Sequence, residues 1–514
     1  MATITTDKMN AARLLSTTLL VLLVIAFCLQ ALLALPRLSA TSDEPIHLSA
    51  GYSYWQTRDF RLNPEHPPLA KLIAALPLLI IRPTLDMTHD DWKRPVQEIL
   101  GFRFLYGNDA DRLLFWSRTA MILLSAVGLI VTFLWARDLF GAQAGLFAAT
   151  MYAFSPNLLA HGMLVTTDVP LAVFTVLTFY LFWKGGETGS WRIDVATGLA
   201  LGAAMASKFS GVFLPVLILI FCIARDRRAA FVRLITIAVA SLVVIEAAYL
   251  FSATPLLYFR NAALVNANHV QNYPVYLLGR LKPGGWWYYF PAAFLFKATV
   301  PTLAMIIFAV IHAISDRFAS RWGEIILITG ICFYALLISW GADQIGLRYL
   351  LPIFPLLFVW TSRVVPWILS MRGGALVIGA LLAWQAFSAV RTFPNYIPYF
   401  NELAGGPAEG PWLLDDSNID WGQGIKQAAQ YVREHHIDSV HMHTFSPIDN
   451  LQYYGLPPDM PFPEAFRRLV ARTPAPGVYI ISAHYVARMR GVSRDWQTYV
   501  PVDRIGNSLW VYRF

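Results

Sequence analysis

Apolar stretches long enough to cross about 30 Å of hydrocarbon as helix recur through the first three-quarters of the chain, separated by polar connections. They fall at residues 14–36, 113–135, 142–160, 169–184, 193–207, 211–224, 231–251, 291–314, 324–340, 349–365 and 373–392, which predicts about eleven membrane-spanning helices. Two connections are long, residues 37–112 and 252–290. The first apolar run is too long for a signal-peptide core and no small-residue cleavage site follows it, so a retained span is expected. Past Arg391 the pattern changes to charges and Pro-Gly turns, with no further run of membrane length. There Trp412–Asp415, Ser439–His443 and Gly477–Ala483 read as short strands, and Ile425–His435 has helical spacing. The chain thus divides into a polytopic α-helical membrane part, residues 1–398, and a small α/β domain, residues 399–514.

Composition supports the division. Hydrophobic residues make up 56% of the chain and charged residues 14%, where a soluble protein carries about a quarter charged residues; mean hydropathy is +0.50. The formal charge of +8 suggests a nucleic-acid partner only until the charges are placed. Arg137, Lys184, Arg192, Arg225, Arg227, Arg228, Arg233, Arg317, Arg321, Arg363 and Arg372 sit in short loops, the mark of a cytoplasmic face. No basic stripe interleaved with aromatics exists, so nucleic acid is not an expected partner. With Lys8 and Arg13 inside, the alternation of spans puts residues 37–112, 161–168, Lys208, 252–290, 341–348 and the C-terminal domain outside. The N-terminus is expected in the cytoplasm and the C-terminus beyond it. Cys28, Cys222 and Cys332 are scattered through spans, as small apolar residues rather than a disulfide framework or metal set.

The external loops carry the candidate chemistry. Asp43-Glu44 follows the first span directly, and Asn63-Pro64-Glu65-His66-Pro67-Pro68-Leu69-Ala70-Lys71 lies in the same loop. Ionisable groups at a membrane face are costly unless they pair or line a hydrated cavity, so such a cluster marks a functional site. A carboxylate there can take a proton from an acceptor hydroxyl or amine as a general base. Pro67-Pro68 pushes His66 out of the helical region and starts a helix, placing Glu65 and His66 at its N-terminal end, and Lys71 one turn on has the reach for a phosphate. Asp168, before Pro170, repeats the pattern of a polar loop, an acid and a span. Lys208 and Arg348, each at an external span end, bring cations to the same face. Structural alternatives stand beside these roles: Asp168 as a helix cap, Lys208 and Arg348 as snorkelling anchors, and Arg118 in a structural pair with an acidic residue. Trp286-Trp287-Tyr288-Tyr289-Phe290 reads as interfacial anchoring, and His441 with His443 as a solvated strand.

These residues carry a resemblance. Asp43-Glu44 followed by His66-Pro67-Pro68-Leu69-Ala70-Lys71 resembles the protein O-mannosyltransferase family, which has an acidic pair and then His-Pro-Pro-Leu-Gly-Lys; Ala70 replaces the glycine. The loop is also similar to the bacterial lipid A aminoarabinose transferase, where an acid and a lysine precede the Pro-Pro. Glu65 and His66 hold those places here, so a lysine's phosphate role does not pass to His66. Thr167-Asp168-Val169-Pro170, Ala206-Ser207-Lys208-Phe209-Ser210-Gly211 and Gly346-Leu347-Arg348-Tyr349-Leu350-Leu351-Pro352 match later family segments, so the resemblance spans roughly residues 10–395. Tyr399–Pro407 and Asp416-Ser417-Asn418-Ile419-Asp420-Trp421-Gly422-Gln423 resemble a segment of bacterial members, with no role to carry over.

The resemblance implies a GT-C fold and an inverting glycosyltransferase that takes a sugar from a polyprenyl phosphate at the outer face of a bacterial plasma membrane. The acceptor class, whether protein, lipid or glycan, stays open. Asp43 would be the base, Glu44 its assistant or a structural group, and Asp168 a positioning acid. Lys71, Lys208 and Arg348 would take the donor phosphate, with Glu65, His66 and Arg118 lining the site. No metal is required by a leaving group that is already a stabilised anion, although a divalent cation serves some relatives. The rival reading is a transporter or flippase of lipid-linked sugars. It predicts pseudo-repeats and spans broken near mid-membrane, and the sequence suggests neither.

Overall fold

The computed structural model describes residues 2–225, 227–254, 256–267, 273–315, 322–445, 448–458, 464–471 and 473–514. Every one of the expected apolar runs falls on helix. Among the described residues, seven helices are long and apolar enough to cross a membrane alone, and an eighth span results if the bent pair Tyr289–Lys297 and Val300–Ser315 counts as one. The other runs form shorter helices: Ala142–Ala153 with Pro156–Gly162, Trp191–Ser207, and Phe209–Arg225. The expected basic loop at Arg317 and Arg321 lies outside the described residues.

The eighth run corrects an expectation. Residues 291–314 read as one unbroken span, yet its two helices meet at 113°. Pro301 explains the break, because it has no N–H to donate and its ring clashes with the carbonyl four residues back, that of Lys297. The groups freed there are met by protein: Asn401 Nδ2 donates to the Leu295 and Ala298 carbonyls at 2.6 and 2.7 Å. Asn157 Nδ2 donates to the Lys297 carbonyl at 2.6 Å. The buried Lys297 ammonium donates to the carbonyls of Ile397 and Asn418 at 2.8 and 2.5 Å.

Small residues set one close helix contact. Trp191–Ser207 packs along Arg227–Ala248 with Gly198 and Gly202 turned to the partner, where a Cβ would collide with the backbone of Ile237 and of Ser241. This small-xxx-small spacing lets two backbones approach, and Ser241 Oγ donates across it to the Gly198 carbonyl at 2.9 Å.

The two ends of the bundle differ. At one end, loop charges pair across helices: Lys184 with Asp138 at 2.8 Å, Arg225 with Glu187 at 2.9 Å, Arg233 with Asp194 at 2.8 Å and Arg363 with Glu324 at 2.6 Å. At the other end, residues 37–112 fold into short helices, among them Glu44–Thr57, Leu69–Ala75 and Gln97–Tyr106. The stretch 252–290 includes the hairpin of β1 (Pro274–Leu277) and β2 (Arg280–Pro283). The aromatic run there divides: Trp287 is exposed, while Tyr289 and Phe290 are buried at the start of the broken span.

The C-terminal sheet has the order β3-β4-β6-β5, from Val440–His443, Val478–Ser482, Leu509–Arg513 and Asp503–Ile505. β3 runs parallel to β4, and the other neighbours are antiparallel. The helix Ile425–Glu434 lays Ile425, Ala428 and Ala429 on the sheet's core, as its spacing predicts. Trp412–Asp415 is not a strand. A 3-10 turn covers Gly410–Trp412, and Asp415 is buried against Arg488. Residues 393–424 form no linker. They thread between the sheet and the membrane helices, where Phe400, Asn401 and Asn418 are buried.

Candidate active site

Loops far apart in sequence meet at one end of the bundle. The helix Glu44–Thr57 starts directly after the loop that leaves the first span, and Pro45 at its first turn suits that start. Gly51 permits this helix to cross Leu69–Ala75, since a Cβ there would collide with the Lys71 carbonyl. The crossing brings the Asp43 and His66 segments together, with the His47 and His66 rings edge to face at 5.2 Å.

Asp43 and Glu44, neighbours in sequence, have opposite surroundings. Glu44 is completely buried. Its two oxygens accept from Arg118 Nε and Nη2 at 2.8 and 2.6 Å, a bidentate pair. The backbone N–H groups of Thr41 and Val165 also donate to it, at 2.8 and 3.0 Å. Burial alone would raise the Glu44 pKa, but Arg118 and these donors outweigh it and hold the carboxylate below its usual range. Arg118 Nη2 also reaches the Ser39 carbonyl at 2.8 Å. This pair ties the loop before Asp43 to the loop before Asp168.

Asp43 belongs to a cluster of alternating charge. Its Oδ2 accepts from Arg348 Nη1 at 3.0 Å. The same nitrogen lies 3.7 Å from Asp168 Oδ2, and Asp168 Oδ1 accepts from Lys208 Nζ at 2.5 Å. Asp43 is the most open of the four, its side chain 32% exposed against 10% for Arg348, 11% for Lys208 and 2% for Asp168. Aromatic faces flank the cations: Lys208 Nζ sits 4.0 Å from the Tyr349 ring centre, and the Arg348 guanidinium 4.1 Å from that of Trp421. Arg348 Nε is buried and has no hydrogen-bond partner.

The other expected site residues are placed differently. Lys71 is buried away from the four-charge cluster, its ammonium donating to Tyr54 Oη at 2.9 Å, to the Asn63 carbonyl at 2.8 Å, to Asn63 Oδ1 at 3.1 Å and to the His66 carbonyl at 2.8 Å. Burial pushes its pKa well below the usual lysine range, against the pull of Glu65. Lys71 thus clamps the 63–66 turn. Glu65 accepts from Asn63 Nδ2 at 3.1 Å and Gln97 Nε2 at 3.0 Å, fastening that turn to Gln97–Tyr106. His66 is half-buried beside His47. Burial, then the nearby His47, Lys71, Lys208 and Arg348, pushes its pKa well below the usual histidine range. His47 Nδ1 donates to the Val165 carbonyl at 2.8 Å, a second tie between the Asp43 and Asp168 loops.

Sequence reading did not select Trp421, Tyr349 or His47. Tyr349 adjoins Arg348 and Trp421 lies in the Asp416–Gln423 segment noted above, so both had a local signal. His47 had none beyond its place one turn after Asp43. Among the described residues no group of three or more His, Cys, Asp or Glu is arranged to hold a metal ion. Asp43 and Asp168 are already matched by Arg348 and Lys208, so a divalent ion at these carboxylates would have to displace a cation of the chain.

Comparison with known proteins places the fold. The family model for dolichyl-phosphate-mannose-protein mannosyltransferase matches residues 111–252. No curated protein matches the chain in sequence. Among solved structures, ArnT from Cupriavidus metallidurans in the apo state aligns over 96% of this chain and 98% of its own, at 15% identity and a TM-score of 0.51. The same protein bound to undecaprenyl phosphate aligns over 96% and 97%, at 14% identity and 0.50. The oligosaccharyltransferase of Archaeoglobus fulgidus in the apo form aligns over 95% of this chain and 72% of its own, at 12% identity and 0.51. At such identities the likeness is one of fold, and it extends through the membrane helices into the C-terminal domain.

Proposed function

We propose that this multi-pass membrane protein, whose fold is that of the GT-C glycosyltransferases, moves a sugar from a polyprenyl-phosphate donor to a nucleophilic acceptor, inverting the anomeric carbon. The observation that carries the reading is the cluster of Asp43, Arg348, Asp168 and Lys208. It sets one accessible carboxylate beside two cations that a second, buried carboxylate holds in place. Asp43 takes the proton of the acceptor's hydroxyl or amine as its heteroatom bonds the anomeric carbon. The bond from that carbon to the phosphate oxygen breaks, and polyprenyl phosphate leaves. Arg348 and Lys208 face the charge that builds on the departing phosphate, the setting in which fixed cations lower a barrier most. Arg348 already contacts Asp43, so a phosphate competing for the guanidinium frees the base as the donor arrives. No step is drawn through a metal.

The reaction would take place at the outer face of a bacterial plasma membrane, the side to which positive-inside alternation assigns these loops. Resemblance to the protein mannosyltransferases favours a protein acceptor, and resemblance to the aminoarabinose transferase a lipid one. The broken span is the feature a transporter reading would claim. Its freed groups, however, are bonded to Asn401, Asn157, Ile397 and Asn418 rather than turned to a cavity.

The test is transfer by purified protein from a panel of radiolabelled polyprenyl-phosphate sugars, with membrane extract as acceptor. Label moves from one donor to an extract component, and Asp43→Asn reduces the rate by roughly 10²- to 10⁴-fold, the usual contribution of a general base. The variant still binds undecaprenyl phosphate. Normal turnover by Asp43→Asn removes the base assignment, and no transfer from any donor by folded protein removes the enzyme reading.

A further inference from the structure

The stretch Asp415–Gln423 makes no bond in the reaction drawn above, yet it touches both halves of the cluster. On one side it grips the loop that ends at Asp43. Ser42 N–H donates to the Trp421 carbonyl at 2.9 Å and Ser39 N–H to that of Gln423 at 3.1 Å, while Ser39 Oγ donates to that of Gly422 at 2.8 Å. On the other side it grips the loop that carries Arg348. Leu347 N–H donates to Asn418 Oδ1 at 3.0 Å, and Ser417 Oγ to the Ile345 carbonyl at 2.6 Å. Gly346 is needed for the second contact, since a Cβ there would collide with Ser417 Oγ.

The stretch is itself anchored from behind by the C-terminal domain. Asp415 pairs with Arg488 at 2.6 Å, the Asp416 N–H donates to His484 Nδ1 at 2.9 Å, and Ser482 Oγ donates to Asp420 at 2.5 Å. Asp416 and Gly422 bracket Trp421 and its neighbours with left-handed backbone, at φ of 57° and 95°. A non-glycine residue held there by its surroundings is a local strain of the kind found at functional sites. The result is an indole, 2% exposed, lying under the Arg348 guanidinium.

We infer that Trp421 is a positioning residue of the transfer site: its ring face sets the Arg348 guanidinium, and the segment bearing it fixes the spacing of Arg348 from Asp43. The assignment rests on Arg348 being a donor-phosphate ligand. It makes the C-terminal domain part of the reaction centre, in addition to any acceptor contact it has. A guanidinium can otherwise swing about several bonds. With an aromatic face beneath it and Asp43 and Asp168 on one nitrogen, Nε keeps a fixed direction.

The experiment measures undecaprenyl phosphate binding to the full-length protein in detergent, for wild type, Arg348→Ala, Trp421→Leu, Trp421→Phe and the double variant Trp421→Leu with Arg348→Ala. Melting temperature is followed in each. Trp421→Leu, which keeps an apolar side chain and removes the ring, weakens binding about tenfold, within the span of cation–π effects at buried sites. Trp421→Phe, which restores a ring face, stays within about threefold of wild type. In the Arg348→Ala background, Trp421→Leu has no further effect, because the ring acts through the guanidinium. A fluorinated tryptophan at 421 keeps the shape while weakening the negative face, and it carries the same expectation should Trp421→Leu fail to fold. Two results overturn the inference alone: Trp421→Leu binding as wild type does while Arg348→Ala does not, or an equal loss in both backgrounds. Wild-type binding by Arg348→Ala instead removes the phosphate role of Arg348, and the inference with it.

Discussion

Asp43 and Glu44 show how far one peptide bond can separate two roles. Both are acids at the end of the first span, and sequence could say only that one of them faces a cavity. The structure gives Glu44 five donors and no exposure, and gives Asp43 one cation and an open side. What was illegible was the partner: Arg118 is 74 residues away, and nothing local announces that it reaches back to Glu44. Removing one member of a buried pair leaves the other charge uncompensated, so Glu44→Gln costs about 3 kcal/mol of stability, whereas Asp43→Asn changes stability by under about 1 kcal/mol. Thermal melts in detergent separate the two, and a stable Glu44→Gln protein would defeat the structural role. The pH dependence has a definite sign. Since Glu44 titrates below its usual range in the folded state, its contribution is complete above about 4.3, the ordinary glutamate value. It is lost as pH falls through the lower folded value. Lys71 is the parallel case on the basic side. Its chemistry suggested a phosphate ligand, but its ammonium is occupied by the 63–66 turn. Lys71→Met therefore lowers melting temperature, and it alters donor affinity less than Lys208→Met does. The reverse ranking in a binding titration would return Lys71 to the phosphate site.

Elements were the most legible level, because apolar runs of membrane length survive any tertiary arrangement. Their interruptions were less so. Lys297 and Pro301, four residues apart in an otherwise apolar run, were the available sign of a break at 298–299. Hydropathy averages over such pairs, so the run read as continuous. The segment that repairs the break comes from more than 90 residues downstream, and no local pattern connects the two. Asn401 is the clearest instrument of that repair. Its amide donates to two carbonyls at the end of the first half-helix, and its Oδ1 accepts from the Ala404 N–H at 3.0 Å. Asn401→Ala leaves two carbonyls, that of Ala298 fully buried, without this donor, a cost of about 1–3 kcal/mol. Because the break abuts Asn418, the variant also loosens the segment that seats Arg348. Its signature is a fall in melting temperature together with weaker undecaprenyl phosphate binding. A variant that melts earlier yet binds normally would confine Asn401 to the helix ends.

For the molecule as a whole, alternation of spans already implied that the loops at 43, 66, 168, 208 and 348 share a side, and they meet in one cluster. The expected division at residue 398 rests on a change of composition, and composition says nothing of whether two parts fold independently. The stretch 399–424 supplies Asn401 to the broken span, Asn418 to Lys297 and the Leu347 loop, and Trp421 to Arg348. The strand end at Ser482 and the helix Ala483–Val492 that follows it supply Ser482, His484 and Arg488 to three buried acidic positions of that stretch. Cutting after residue 398 therefore strips the membrane part of contacts at its site. Cutting after Gly424 keeps the stretch but leaves Asp415 without its arginine and Asp420 without its hydroxyl, at several kcal/mol for buried charge left unpaired. Both shortened chains should insert, since their apolar runs are intact. Both should also lose undecaprenyl phosphate binding, and both should be cut by protease within residues 37–112 faster than the full chain. The shorter of the two is the sharper test. If residues 1–398 bind undecaprenyl phosphate like the whole protein, the cluster of Asp43, Arg348, Asp168 and Lys208 assembles without the C-terminal part, and the domain is an appendage. If they do not, the reaction centre spans both parts of the chain.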